Sequence, residues 1–133
     1  MRRPRDDARP DPAAGFKSRP GLQRIVRAAG YSLAGLRLAV RHEAAFRQEL
    51  ALGVPLLVVA WWAAPGRWHA LALTASVLLV WLVELLNSAL EALADAVTGE
   101  PHPLVGRAKD MGSAAVAVAL AIAVLVWGVV FWP

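Results

Sequence analysis

The sequence predicts an all-α membrane protein: an N-terminal amphipathic helix on the membrane surface, then three transmembrane helices. Three observations carry that prediction. Hydrophobic residues make up 58% of a 133-residue chain, which is high for a soluble domain of this size. They gather in three runs, Leu50 to Ala64, Trp68 to Val83 and Met111 to Trp132, and the third is long enough to cross a bilayer by itself. Charge is segregated as well. Eleven of the fourteen Lys and Arg precede residue 50, and Arg67 is the one charged residue between Leu50 and Val83. A soluble bundle with very apolar core helices is the less economical alternative.

The basic N-terminal part belongs on the cytoplasmic side by the positive-inside rule. Three spans then put the turn at Ala64 to Arg67 outside, the loop from Val97 to Lys109 inside and the C-terminus outside. The net charge of +4 does not point to nucleic acid, because the basic residues flank membrane segments; anionic lipid is the partner they suit. With no cysteine in the chain, disulfides, thiolate metal sites and thiol catalysis are excluded.

Residues 1–20 carry arginines, aspartates and prolines without an apolar period, so they read as a disordered tail. Arg2-Arg3 is followed by no apolar segment, which argues against a cleaved export signal. Residues 21–133 then form one membrane domain. Over about 22–41, Leu22, Ile25, Val26, Ala29, Leu33, Leu36 and Val40 fall on one helical face while Arg24, Arg27 and Tyr31 face away. Arg37 and Arg41 flank the apolar stripe, where long side chains reach lipid phosphates. That pattern is an interfacial helix.

The first span, about 43–63, opens with Glu43-Ala-Ala-Phe-Arg-Gln-Glu49. Glu43 and Arg47 are four apart, so a surface ion pair is expected. Glu43 and Glu49 at the mouth of the span are also placed to help hold a cation. Pro55 is positioned to kink the helix. Trp61, Trp62 and Trp68 surround Pro65-Gly66, an aromatic belt at a tight outer turn.

The second span, about 68–96, sets the depth of the polar groups. Trp68 to Val83 covers ~24 Å at 1.5 Å per residue, which leaves Glu84 near the cytoplasmic edge of a hydrocarbon core of ~30 Å. Glu84, Asn87, Ser88, Glu91 and Asp95 fall within an arc of roughly 100°. Charges near hydrocarbon are costly unless paired, hydrated or metal-bound, so this face reads as a site. Thr98 to Pro103 breaks the helix. The third span, about 105–132, begins near Asp110, a candidate helix cap. Met111-Gly-Ser-Ala-Ala follows with small residues suited to close packing, and Trp127 and Trp132 form the outer belt.

A carboxylate face where headgroups meet water suits phosphoryl transfer from a nucleotide to a lipid alcohol. Such transfer needs carboxylates for Mg²⁺, cations for phosphate oxygens and a base for the attacking hydroxyl. Lys109, Arg24 and Arg107 supply cations, and Glu84 lies at the depth where a lipid proton must be taken. The chain has no Gly-rich phosphate loop and no kinase catalytic loop, so a nucleotide site must be assembled from helix faces and the loop. His102 suits either nucleotide contact or a solvated loop position. No His/Glu constellation supports zinc. On the residues alone, a lipid kinase is one of several options, and a small proton-coupled transporter is another.

Four segments narrow the choice: Gly21-Leu-Gln-Arg-Ile-Val-Arg-Ala-Ala-Gly-Tyr-Ser32, Glu43 to Glu49, Val83-Glu-Leu-Leu-Asn-Ser-Ala-Leu-Glu-Ala-Leu-Ala-Asp95 and Gly106-Arg-Ala-Lys-Asp-Met-Gly-Ser-Ala-Ala-Val116. With them the chain, from Gly21 to Trp132, resembles the small bacterial integral-membrane diacylglycerol kinases. The resemblance implies a homotrimer in the bacterial inner membrane, with sites shared between subunits, that uses ATP and Mg²⁺ to convert diacylglycerol to phosphatidate. It implies Glu84 as proton acceptor and Glu43 and Glu91 as metal ligands that also approach the nucleotide. Arg24, Tyr31, Glu100, Pro101, His102, Lys109 and Asp110 match nucleotide-contacting positions. Arg24, Ala28, Ala29, Gly30, Tyr31, Ser32, Leu33, Arg37, Glu49 and Glu84 match the lipid path, with Asn87 and Asp95 in support. Leu33 and Ala34 depart from the family's usual tryptophan and basic residue, and Pro101 and Pro103 make this loop richer in proline. A related branch phosphorylates undecaprenol. The Asn87-Ser88 pair and the Glu43 to Glu49 segment are more similar to the diacylglycerol branch.

Overall fold

The computed structural model describes residues 21–132; the disordered tail expected over residues 1–20 lies outside them. The described residues form four α-helices: α1 (Gly21–His42), α2 (Ala44–Ala63), α3 (Arg67–Val97) and α4 (Pro103–Phe131). The described residues divide into two compact units, the first ending at Leu36 and the second beginning at Arg37. The described part of the first is α1 up to Leu36, whose Ile25, Val26, Leu33 and Leu36 are exposed, the pattern of a helix made to rest on lipid. Ser32 Oγ turns back to donate to the Ala28 carbonyl at 3.0 Å.

The second unit begins with the last turns of α1. The Glu43 N–H donates to the Ala39 carbonyl at 2.9 Å, and Glu43 itself leaves the helix in an extended conformation before α2 starts. The expected Glu43–Arg47 ion pair does not form. Arg47 Nη1 instead donates to the carbonyls of Val40 and Arg41, at 3.4 and 3.3 Å. Those are orphan acceptors at the end of α1, and a guanidinium suits them better than water would. Among the described residues Glu43 is thereby left without a salt-bridge partner.

At ~30 Å, α2 matches a hydrocarbon core, and it runs unbroken through Pro55. Ala64, Pro65 and Gly66 turn the chain, with Trp61, Trp62 and Trp68 exposed around them. The Arg67 guanidinium lies 5.5 Å from the centre of the Trp68 ring. The longest helix, α3, packs against both α2 and α4. Its buried residues Ala70, Leu73, Ser76, Val77, Val80 and Glu84 repeat at three- and four-residue steps, with Ala94 buried separately near the helix end, so the covered apolar face of the span leads to a carboxylate. The buried Ser76 hydroxyl is satisfied within the helix, donating to the Leu73 carbonyl at 2.7 Å.

At its end, α3 is closed by the Thr98 N–H on the Ala94 carbonyl and by the Thr98 hydroxyl, which accepts from the Glu100 N–H at 3.1 Å. α4 then starts at Pro103. Proline fits a first helical position because no N–H is needed there, and His102 Nδ1 accepts from the Leu104 N–H at 3.3 Å as the cap. Three helices, α2, α3 and α4, are long and apolar enough to cross a membrane, and they expose large apolar side chains such as Leu52, Val58, Leu78 and Val129. The molecule is a multi-pass membrane protein.

Candidate active site

Glu84 is 5% exposed, at the point where the covered apolar face of α3 gives way to polar residues. Helical periodicity continues that face with Asn87, Glu91 and Asp95. The beginning of α2 adds Glu43 and Glu49. The Glu84 carboxylate lies in the field of Glu91 and Glu43, and Glu49 lies in the field of Glu84. Among the described residues the one salt bridge joins Lys109 Nζ to Asp95 Oδ1 at 2.6 Å. Glu43, Glu49, Glu84 and Glu91 therefore share one electrostatic neighbourhood; among the described residues none of the four is in a salt bridge, and Lys109 reaches Glu91 only through its field. Like charges in such a setting repel by amounts that grow as water is excluded.

The orphaned atoms sharpen this. Glu49 Oε2 and Asn87 Oδ1 are buried with no hydrogen-bond partner. Asn87 Nδ2 donates to Glu91 Oε1 at 3.3 Å, so the amide holds one carboxylate in place from a position four residues earlier. Its carbonyl oxygen is pressed against Gly112 of α4, where any Cβ would collide with it. A glycine at this point lets α4 come close enough to clamp the amide.

The donor chemistry fits a hard divalent cation, which takes carboxylate and carbonyl oxygens. Among the described residues no group of three or more His, Cys, Asp or Glu converges tightly enough to hold a metal alone. Mg²⁺ commonly sits on one or two carboxylates and completes its shell with waters and substrate phosphates, so a two-carboxylate site of this kind suits it.

The other expected site residues are placed as follows. Lys109 sits on α4 facing Asp95. Glu100, Pro101 and His102 are exposed in the α3–α4 loop, with one His102 nitrogen engaged in capping. Asp110 is exposed well inside α4 rather than at its start, so it is not that helix's cap; His102 is. Arg24, Ala28, Ala29, Gly30, Tyr31, Ser32 and Leu33 belong to the first unit and are exposed, and Arg37, in the second, is exposed as well.

A cavity of about 360 Å³ lies between α2, α3 and α4, a size that takes a small apolar ligand. Leu52, Val80, Trp81 and Val124 line it, and Glu49 is its one acidic residue. Two members of this wall escaped sequence reasoning. The Trp81 indole lies on Gly53 of α2, where an added Cβ would meet ring atoms at 2.7 to 3.0 Å. Its Nε1 donates to the Glu49 carbonyl at 3.2 Å. The available signal was a tryptophan inside an apolar run, far from either aromatic belt and three residues before Glu84.

Comparison with known proteins gives a consistent result. A family model described as prokaryotic diacylglycerol kinase matches residues 30–131. A diacylglycerol kinase of Escherichia coli (strain K12) is 49% identical over 112 residues, covering 84% of this chain and 92% of its own. The diacylglycerol kinase of Pseudomonas aeruginosa is 50% identical over 115 residues, 86% of this chain and 94% of its own. A more distant diacylglycerol kinase, from Helicobacter pylori (strain 26695), is 39% identical over 110 residues, 81% and 84% of the two chains.

Proposed function

The chain belongs to the prokaryotic diacylglycerol kinase family, a family of lipid kinases, and from that membership we propose that it transfers the γ-phosphoryl group of ATP to diacylglycerol, giving phosphatidic acid and ADP. The observation that carries the reading is Glu84, a buried carboxylate at the end of an apolar helix face, in the company of three more acids none of which is in a salt bridge among the described residues.

The residues divide the work by depth. Glu84 takes the proton of the lipid hydroxyl as its oxygen attacks the γ-phosphorus; the bond to the β-phosphate oxygen breaks and ADP leaves. Glu43 and Glu91 would hold Mg²⁺ with the nucleotide, and Asn87 restrains Glu91 through its hydrogen bond to one carboxylate oxygen. When bound, the metal neutralises phosphate charge that four carboxylates would otherwise repel. Lys109 moves between Asp95 and the phosphates, and Arg24, Tyr31, Glu100, Pro101, His102 and Asp110 contact the nucleotide. The lipid lies along Ala28 to Leu33 and Arg37, with its headgroup between Glu49 and Glu84. The site faces the cytoplasm at the inner membrane, where ATP is available, and it is completed in a homotrimer.

The test is transfer of radiolabelled γ-phosphate by the purified protein in mixed micelles, offered diacylglycerol or undecaprenol. The reading expects labelled phosphatidic acid formed in a Mg²⁺-dependent manner. Labelling of undecaprenol with diacylglycerol untouched would assign the chain to the other alcohol.

A further inference from the structure

Among the described residues, one side-chain hydrogen bond ties α2 to α3, and it comes from Trp81. The indole reaches the Glu49 carbonyl because Gly53, one turn further along α2, has no side chain. A Cβ there would meet Trp81 Cζ2 at 2.7 Å and Nε1 at 2.9 Å. A large planar side chain set into a glycine notch, with its N–H spent on a backbone acceptor, has little freedom to slide or rotate. Both ends of this contact border the acids: the acceptor belongs to Glu49 itself, and Trp81 precedes Glu84 by three residues on the same helix. The bond therefore fixes the axial register of the two turns that present Glu49 and Glu84 to one another.

The rest of the surroundings makes that register consequential. Glu49 Oε2 is buried without a partner, and Glu49 supplies the one carboxylate in the wall of an otherwise apolar cavity between the three spans. Nothing on the Glu49 side chain itself anchors it. Its placement is inherited from its backbone, and the backbone is held by Trp81.

We propose that Trp81, seated in the Gly53 notch, is a positioning residue that sets Glu49 against Glu84 on the lipid-alcohol side of the reaction. The inference rests on the reading that Glu49 and Glu84 face the lipid headgroup. The role of Trp81 is exerted through the α2 backbone, by the bond to the Glu49 carbonyl. On the nucleotide side, Glu91, Asn87 and the α3–α4 loop lie off α2, and Glu43, at the head of α2, is held separately by its N–H on the Ala39 carbonyl and by the Arg47 bonds to the end of α1.

Trp81→Phe keeps an aromatic ring in the notch and removes the N–H. The expected result is a fall in kcat/KM for diacylglycerol of about two- to tenfold, the range that one ordinary hydrogen bond supports. The KM for ATP stays at the parental value, and the melting temperature falls by no more than the loss of one hydrogen bond and the smaller ring account for. Replacement of Trp81 by benzothienylalanine, which has the indole shape without its donor, gives the same split and serves if the phenylalanine variant fails to assemble. Gly53→Ala, which pushes the indole out, lowers lipid kcat/KM further. Unchanged lipid kinetics in the donor-free variants, or a parallel loss in both substrates with a lowered melting temperature, would overturn the assignment. A parent chain inert toward diacylglycerol would be a separate failure, that of the substrate assignment itself.

Discussion

Glu84 and Asn87 show how this molecule tolerates polar groups that hydrocarbon would expel. Placing an acid at the centre of a membrane helix costs on the order of 2.5–3.5 kcal/mol on insertion scales. The chain limits that cost by placing Glu84 where α3 leaves the apolar zone, one turn before Asn87. Asn87 is managed by a different device. Its amide nitrogen serves Glu91, and its oxygen is enclosed by Gly112 with no protein donor. Gly112→Ala is therefore expected to destabilise the protein by about 1–3 kcal/mol, the usual cost of forcing a methyl group into a packed contact. It also raises the KM for Mg·ATP, because Asn87 must swing away from Glu91. Gly128→Ala is the matched control, since nothing lies within 4 Å of the added carbon. Thermal unfolding and ATP titrations on the two variants check both statements.

At the scale of elements, α3 was the most legible part of the chain. Its apolar run, the arc of Glu84, Asn87, Glu91 and Asp95, and the break after Val97 all follow from helical periodicity and turn chemistry. The observed helix at ~46 Å outruns the hydrocarbon by the length of its acidic end. The junctions were harder to read. Spacing alone paired Glu43 with Arg47, but that rule applies to residues on one continuous helix. Glu43 sits at the break between α1 and α2, where the exposed carbonyls of α1 outcompete a distant carboxylate for Arg47. Asp110 as a cap failed for a related reason. Pro103 and His102 together start α4 earlier than the apolar run suggests. The Trp81–Gly53 contact joins residues far apart in the chain, and no local pattern encodes which glycine a tryptophan will meet.

For the whole molecule, the spans and their charges set which compartment each end sees. In the proposed topology the eleven basic residues ahead of residue 50 hold the N-terminus in the cytoplasm, and three spans then return the α3–α4 loop to the same side. Because the chain has no cysteine, single cysteines report this cleanly. Glu100→Cys is expected to react with an impermeant maleimide only in inverted membrane vesicles, and Trp62→Cys only in right-side-out ones. The apolar side chains that α2, α3 and α4 turn outward suit lipid, and in the proposed trimer part of them meets the two other copies; the mass expected in detergent is three chains. A loop that reacts from the outer side would leave the acids out of reach of ATP.

The most direct test of the central claim is the turnover of Glu84→Gln, measured with diacylglycerol and saturating Mg·ATP in the assembled protein. The amide preserves shape and one acceptor oxygen but takes no proton. The account predicts a fall in kcat of about 10²–10⁴-fold, the contribution of a positioned general base, with ATP binding retained. Full turnover in Glu84→Gln would contradict it.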